Sequence, residues 1–374
     1  MMKILTLTTQ YANNYGALLQ CYALRKYLST FPDCECEVIN YFHAYAKENW
    51  QLWKKPNGFR DIVKNIYCFA NVRLLFSQIK KNRLMLQFVK DYIPRTQNCY
   101  DTPESIRTNP PLADVYICGS DQIWNMTGRK IPGKTVFFLD FVPAGARRIS
   151  YAASIADPWS KDDILMIEEH IKKFDAVSIR EKGNLSQVQT LYPSATIVID
   201  PVFLLNKEMW DNLKNTEKCI EEPYILCYFL SVTEQMVKTV KKLKELTGYK
   251  VVHLNLNALD KFNSDVNIRV ADPRDFIGLI SKASVVCTNS FHCSAFSVIY
   301  KRDFVFCPKH HANERIENLQ EVFGLGNVMM TPEKLETLTA EQIHVDYSKA
   351  DVLGGKFIDY SKEFLRKAIY GDGN

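Results

Sequence analysis

Short apolar runs alternate with helix-length amphipathic segments along this chain, break once at Asp200-Pro201, and then resume the same alternation. Strand alternating with helix implies a mostly parallel sheet covered by helices, so the pattern predicts two α/β units in series. In the first half the runs lie at about 3–9, 37–41, 114–118, 148–152, 176–179 and 196–199, with helical patterns such as 17–28 and 162–173 between them. In the second half runs at 224–230, 250–254, 284–288 and 303–307 alternate with helices at about 233–246, 273–282 and from 293 onward. The stretch 47–95 is basic, aromatic and helix-like, with Pro94 as its stop, and reads as an insert in the first domain. The expected fold class is therefore α/β with two Rossmann-like domains. Residues 1–205 form the first, with the insert at about 47–95 and an amphipathic C-terminal helix at 356–370 crossing back onto it; residues 206–350 form the second.

Composition narrows the functional classes. The 374 residues exceed what one core usually serves, and 47% hydrophobic with 24% charged residues is ordinary for a soluble globular protein. A net charge of +5 suits an anionic substrate or an anionic membrane surface and is too weak to indicate nucleic acid. The 11 cysteines are odd in number and form no CxxC pair, which is reduced, cytoplasmic usage. Cys34 and Cys36 have no second pair to complete a zinc site, so no metal is expected. The opening Met-Met-Lys-Ile-Leu reads as a first strand rather than a signal peptide, and no run approaches the ~20 apolar residues of a membrane span. Peripheral membrane contact is a different matter. Trp50, Trp53, Lys54, Lys55 and Arg60 in the insert could touch a membrane surface or an acceptor lipid, the alternative being plain surface helices.

Ligands of open α/β sheets sit at the carboxyl ends of strands, so four loops carry the candidate chemistry. Asn13-Asn14-Tyr15-Gly16 follows the first run; Gly16 permits close backbone approach and the next helix offers N–H groups to an anion, although an ordinary strand-to-helix turn looks the same. Gly119-Ser120-Asp121-Gln122-Ile123-Trp124-Asn125 places hydrogen-bonding side chains and an aromatic face at a sheet edge, a mixture suited to sugar. The alternative has Asp121 capping a helix and Trp124 in the core. Ser178-Ile179-Arg180-Glu181-Lys182 ends a strand in an Arg able to fork onto a phosphate or carboxylate, or else is a solvated helix start. In Thr288-Asn289-Ser290-Phe291-His292-Cys293, hydroxyl and amide groups precede a His at the start of a helix. A His held there beside a phosphate would be a proton donor, against the plainer reading of a structural His.

Taken in order, NYGALLQ at 14–20, GSDQIWN at 119–125, ISYAASIA at 149–156, SIREK at 178–182, DPVFLL at 200–205, DFIGLISKASVVCTNSFH at 275–292 and Arg315-Ile316 before Phe323-Gly324-Leu325 resemble the polysaccharide pyruvyl transferase family. The likeness spans roughly residues 3–325. It implies a GT-B-like fold with a ligand cleft between the domains, and transfer of pyruvate from phosphoenolpyruvate onto sugars as ketals. It also implies that His292 contacts the donor or supplies a proton and that Arg180 binds the donor's phosphate or carboxylate, with Asp121, Asn125, Ser290 and Arg315 as further site residues. The chain departs from the family pattern at Cys293, where Gly is usual, and a side chain there bears on how closely the donor approaches.

The expected site is thus His292 and Asp121 in catalysis, with Arg180, Ser290, Arg315, Asn14, Gly16, Asn125 and Asn289 binding substrate. Phosphoenolpyruvate needs fixed cations and helix N-termini, and no step of ketal formation demands a metal or other cofactor. The partners expected are phosphoenolpyruvate and a sugar or lipid-linked oligosaccharide acceptor. Two other readings stand beside this one: a glycosyltransferase using a nucleotide sugar, and a non-catalytic glycan-binding relative. A nicotinamide-dependent oxidoreductase is disfavoured because the first loop lacks GxGxxG.

Overall fold

Each of the two alternating stretches closes into its own parallel sheet. The computed structural model describes residues 1–48, 50–52, 56, 58–127, 133–256, 262–308 and 313–371. The first sheet contains β1 (Met2–Leu7), β2 (Cys34–Val38), β3 (Val115–Cys118), β4 (Arg147–Ala153), β5 (Ala176–Ile179) and β6 (Thr196–Ile197), in the order β2-β1-β3-β4-β5-β6. The second contains β7 (Tyr224–Tyr228), β8 (Lys250–Leu254), β9 (Val266–Ile268), β10 (Val285–Thr288) and β11 (Asp303–Phe306), in the order β11-β10-β7-β8-β9. Every ladder is parallel. The central strands read as unbroken apolar runs because helices bury both of their faces: β3 (VYIC) and β7 (YILCY) are buried at every residue.

Some elements begin elsewhere than the sequence suggests. The run 37–41, taken as a strand, overlaps β2 only at Glu37 and Val38: Val38 N–H donates to Pro94 O, Thr96 N–H to Val38 O and Tyr100 N–H to Asn40 O. β9 is a three-residue edge strand with alternating exposure, too short and polar to stand out. The last helix runs Ala350–Tyr370, starting before the expected 356 and passing through Gly354-Gly355. Gly354 is needed there because a Cβ would stand 2.2 Å from Cε1 of Phe323.

The chain divides into two units, Met1–Trp50 with Phe88–Leu205 and Gly355–Asn374, and Gln51–Gln87 with Asn206–Gly354. Residues 51–87 therefore group with the second unit, whereas the sequence reading kept all of 47–95 in the first. The end of helix Val72–Tyr92 is anchored in the first core through Phe88 and Val89, followed by Ile93, while helix Phe59–Ala70 is largely exposed. Of the residues singled out for membrane contact, Trp53, Lys54 and Lys55 lie outside the described residues, as does the Arg60 side chain. Trp50 is half-buried and its Nε1–H donates to Tyr11 O at 2.8 Å, so it is tied to its own unit. Among the described residues no helix is long and apolar enough to cross a membrane.

The first core is aromatic. Trp124 is wholly buried, stacks on Phe138 at 5.0 Å and donates from Nε1 to Phe137 O at 3.1 Å. The structure thus corrects the expectation of an aromatic face offered to sugar: an indole packed on one face and hydrogen-bonded at its edge has no surface left for a ligand. The second core includes Cys227, Cys287 and Cys307, with the Cys287 and Cys307 sulfurs 3.8 Å apart, and Cys293 is also wholly buried; all behave as small apolar side chains. Burial pushes the Cys293 thiol up to about 12 and those of Cys227 and Cys287 well above their ordinary value.

His253 on β8 is fully buried, its ring edge-on to Phe262 at 4.5 Å, and burial pulls its pKa down to about 4. Between pH 6.5 and 4 the unfolded imidazole takes a proton that the folded one refuses, so its contribution to stability is complete above about pH 6.5 and is lost toward pH 4. Denaturant unfolding should show up to about 3 kcal/mol of destabilisation from this residue over that window. His253→Phe should flatten the acid limb; an unchanged limb would assign the loss to other groups, such as half-buried His43, which burial also lowers to about 4.

Candidate functional site

In the first unit the strand order reverses between β1 and β3, and the loops leaving those two strands are laced together. Thr8 Oγ1 donates to Ser120 O at 2.7 Å, Gln20 Nε2 donates to Thr8 Oγ1 at 2.9 Å, and Thr9 Oγ1 donates to Asp121 Oδ2 at 2.9 Å. Gly119 makes the approach feasible, since a Cβ there would sit 3.1 Å from Thr8 Cβ. Asp121 adopts φ 76°, ψ 179°, a region that residues with a Cβ rarely occupy, and Ser154 N–H donates to its carbonyl at 3.0 Å. Its carboxylate makes no helix-capping bond. Strain at a half-buried carboxylate beside a switch point is a common mark of a functional position.

A buried charge network continues along the ends of the neighbouring strands. Arg180 Nη1 donates to Asp200 Oδ2 at 2.5 Å, Ser120 Oγ donates to the same oxygen at 3.3 Å, and Arg180 Nε lies 3.8 Å from Glu181 Oε2. Ser154 Oγ donates to Glu181 Oε1. A register shift between Ser150 and Ala153, with Ala152 at φ 55°, brings the end of β4 into this network. Arg180 is 4% exposed, Glu181 and Asp200 each 2%. Burial works against the guanidinium's charge, but the carboxylates of Asp200, Glu181 and Asp121 outweigh it and hold the group above its ordinary pKa. The sequence reading offered Arg180 to a donor phosphate. Here one edge of its fork is committed to protein carboxylates, because a charge this deep must be paired within the fold. The solvated-helix alternative fits only Lys182, which is exposed.

Three other expected site residues in this unit have local partners. Asn14 caps helix Tyr15–Leu28, its Oδ1 accepting from Ala17 N–H at 3.1 Å, and Gly16 is buried in the first turn of that helix. Asn125 Oδ1 accepts from Thr127 N–H at 2.9 Å and Thr127 Oγ1 at 2.7 Å, pinning a turn. Asp200, Glu181, Ser120 and Ser154 fell within segments quoted from the sequence but were not named as site residues, and Thr9 was not singled out. Their signal was position: each stands at or just beyond the end of a strand that points to the same edge of the sheet.

In the second unit the reversal falls between β7 and β10. Asn289 clasps the two loops: its Oδ1 accepts from Leu230 N–H at 2.8 Å and its Nδ2 donates to Ser231 O at 3.0 Å. Thr288 Oγ1 donates to Tyr228 O at 2.6 Å and accepts from Ser290 N–H at 3.1 Å. Helix Phe291–Ile299 begins two residues earlier than expected, which puts His292 in its first turn. Ser290 occupies the N-cap position without a side-chain capping bond, and the first turn carries no acidic residue, so the positive end of the helix is not offset locally. His292 is 7% exposed, and Cys293 behind it is wholly buried. The side chain that replaces the family's usual Gly therefore lies within the core. Arg315, on helix Glu314–Phe323, holds its guanidinium 5.8 Å from the Phe291 ring centroid, a cation–π contact beside the His292 turn.

Of the nine expected residues, the structure thus gathers Ser290, His292 and Arg315 around one helix start in the second unit. Asp121 and Arg180 share one electrostatic network in the first. Asn14, Gly16, Asn125 and Asn289 shape the loops around them. Among the described residues no group of three or more His, Cys, Asp or Glu is arranged to hold a metal ion.

Solved structures with the same fold include the S. aureus MnaA–UDP co-structure, at 13% identity and TM-score 0.51 over 98% of this chain and 97% of that one. A putative UDP-N-acetylglucosamine 2-epimerase from Listeria monocytogenes aligns at 11% identity and TM-score 0.52 over 99% and 97% of the two chains. The UDP-GlcNAc 2-epimerase from Methanocaldococcus jannaschii gives 9% and 0.51 over 98% and 99%. Identities this low speak to fold alone, and that fold is the two-domain GT-B type. No curated protein sequence matches the chain. The family model of the polysaccharide pyruvyl transferases does match, over residues 14–311, a span that includes the Asn14 cap, the Asp121 and Arg180 network and the His292 helix start and stops just short of Arg315. The chain belongs to the polysaccharide pyruvyl transferase family.

Proposed function

We propose that this protein transfers the pyruvyl group of phosphoenolpyruvate onto a pair of hydroxyls on one sugar, forming a ketal during assembly of a surface polysaccharide in the cytoplasm. The observation that carries the reading is His292 in the first turn of a helix whose positive end is not offset by an acid, with Arg315 beside it, in a chain of this family. Phosphoenolpyruvate carries a phosphate and a carboxylate, which the helix N–H groups and Arg315 are suited to hold.

The chemistry assigns each group a task. His292 gives its proton to the methylene carbon, leaving an oxocarbenium-like carbon that one sugar hydroxyl attacks. Phosphate then leaves with the C–O bonding pair and the second hydroxyl closes the ketal; of the two hydroxyl protons one restores His292 and the other leaves with phosphate, and the carboxylate is retained. Asp121 takes a hydroxyl proton or orients the sugar, its position supported by Thr9 and by the Arg180 network. Asn289 acts by holding its loops rather than by touching substrate. No step calls for a metal or an organic cofactor. The acceptor is a free or lipid-linked sugar.

The test is to incubate the protein with phosphoenolpyruvate and a panel of lipid-linked and nitrophenyl hexosides, following inorganic phosphate together with product mass. Acceptor-dependent phosphate release with a mass gain of pyruvate minus water supports the reading. Fold likeness to a UDP complex favours one rival, a nucleotide-sugar glycosyltransferase. Thermal stabilisation by UDP and none by phosphoenolpyruvate would sink the pyruvyl reading in its favour.

A further inference from the structure

Residues 51–90 carry nine Lys or Arg against a single Asp, whereas the other 334 residues carry 38 Lys or Arg against 41 Asp or Glu. The positive charge of the whole chain thus resides in this segment. Its first helix, Phe59–Ala70, is mounted with its apolar side outward. Phe59, Ile62, Val63 and Ile66 recur at helical spacing, and Phe59 is 81% and Ile66 55% exposed, while the buried residue among its described side chains is the polar Asn65. Helix Val72–Tyr92, which follows directly after Asn71, adds Val72 and Phe76 to the exposed apolar side chains, the latter 66% exposed, and displays Arg73, Lys80 and Arg83 to solvent.

A helix whose polar residue faces the protein and whose apolar residues face outward needs a second phase to cover it. We propose that the exposed apolar side chains of Phe59, Ile62, Val63, Ile66, Val72 and Phe76 dock on an anionic lipid bilayer. Charge selects this occupant over a second copy of the chain: face-to-face copies would oppose two segments of the same strong positive charge, whereas anionic headgroups complement it. The apolar side chains would enter the boundary between headgroups and acyl chains to about 5–10 Å, with the basic residues at headgroup level. Each basic residue near such a surface raises affinity about fivefold, so the charge contribution is large and sensitive to salt. The surface is defined without reference to the transfer reaction and is tested separately from it.

The test is flotation of the full chain with phosphatidylcholine vesicles, with and without phosphatidylglycerol, at low and high salt. The parent should float with the anionic vesicles at low salt, float less at high salt, and remain in solution with phosphatidylcholine alone. F59S/I66S/F76S and R73E/K80E/R83E alter exposed positions on opposite sides of the argument, and each should keep the parent's thermal midpoint. Each should also bind anionic vesicles about a hundredfold or more weakly. Parent-like flotation of either variant, or equal binding to both vesicle types, overturns the proposal. So does a parent that is dimeric in sedimentation and fails to float while F59S/I66S/F76S is monomeric, which would assign the face to self-association.

Discussion

His292→Gln is expected to lower the rate of acceptor-dependent phosphate release by about 100- to 10,000-fold, the range that loss of a positioned proton donor usually produces. Glutamine keeps most of the volume of a side chain that is only 7% exposed, so the thermal midpoint should move little. Donor affinity should survive, because the helix N–H groups and Arg315 remain. The kinetic signature is a fall in kcat with a nearly unchanged KM for phosphoenolpyruvate. Arg315→Ala should do the reverse, raising KM and changing kcat less, since a guanidinium resting on Phe291 is placed to bind rather than to protonate. If H292Q turns over like the parent while donor binding is intact, His292 is a structural residue and the protonation step belongs elsewhere.

The largest effect on stability is expected at Arg180. Arg180→Met should destabilise the protein by about 3–5 kcal/mol, the usual cost of removing one partner from a buried ionic group. The reason is arithmetic of charge: Asp200 and Glu181, each 2% exposed, would face no guanidinium. The loss should shrink on acidification. Stranded carboxylates have raised folded-state pKa values, so the folded variant binds protons more readily than its unfolded chain, and the penalty is greatest at high pH. A second substitution, Asp200→Leu, added to Arg180→Met should return part of the loss, because apolar residues of similar size often replace a buried ion pair without net cost. Denaturant midpoints for the parent, the single variant and the pair decide this. A single variant as stable as the parent would mean that the network is open to water in solution, which would restore Arg180 as a cation available to the donor.

The alternation of apolar runs announced both parallel sheets, and β5, β8 and helix Pro273–Lys282 appear where the pattern put them. Strand ends were legible for the same reason, since a run of Val, Ile and Cys that stops at Ser, Asp or Asn marks where a buried strand leaves the sheet. Hence Asp121, Arg180 and His292 could all be placed in advance in the loops and turns that follow strands. What those side chains do once there was not legible. Trp124 fitted either a sugar platform or a core residue and is the latter; nothing in its neighbourhood along the chain reveals that Phe138, Trp159 and Phe174 converge on it. Arg180 looked like an anion site and is ion-paired with Asp200, twenty residues away in sequence.

By itself, then, the sequence determined the α/β class, the two units, the family and where most strands end, because local hydrophobic period and residue order encode them. Tertiary structure decided which protein partners the polar residues at the strand ends take, as Arg180 takes Asp200 and Asn289 takes Leu230 and Ser231. It also decided that helix Phe59–Ala70 turns its apolar side outward. Partner choice among buried charges and the facing of a helix depend on contacts between residues far apart in the chain, and neither period nor composition records them.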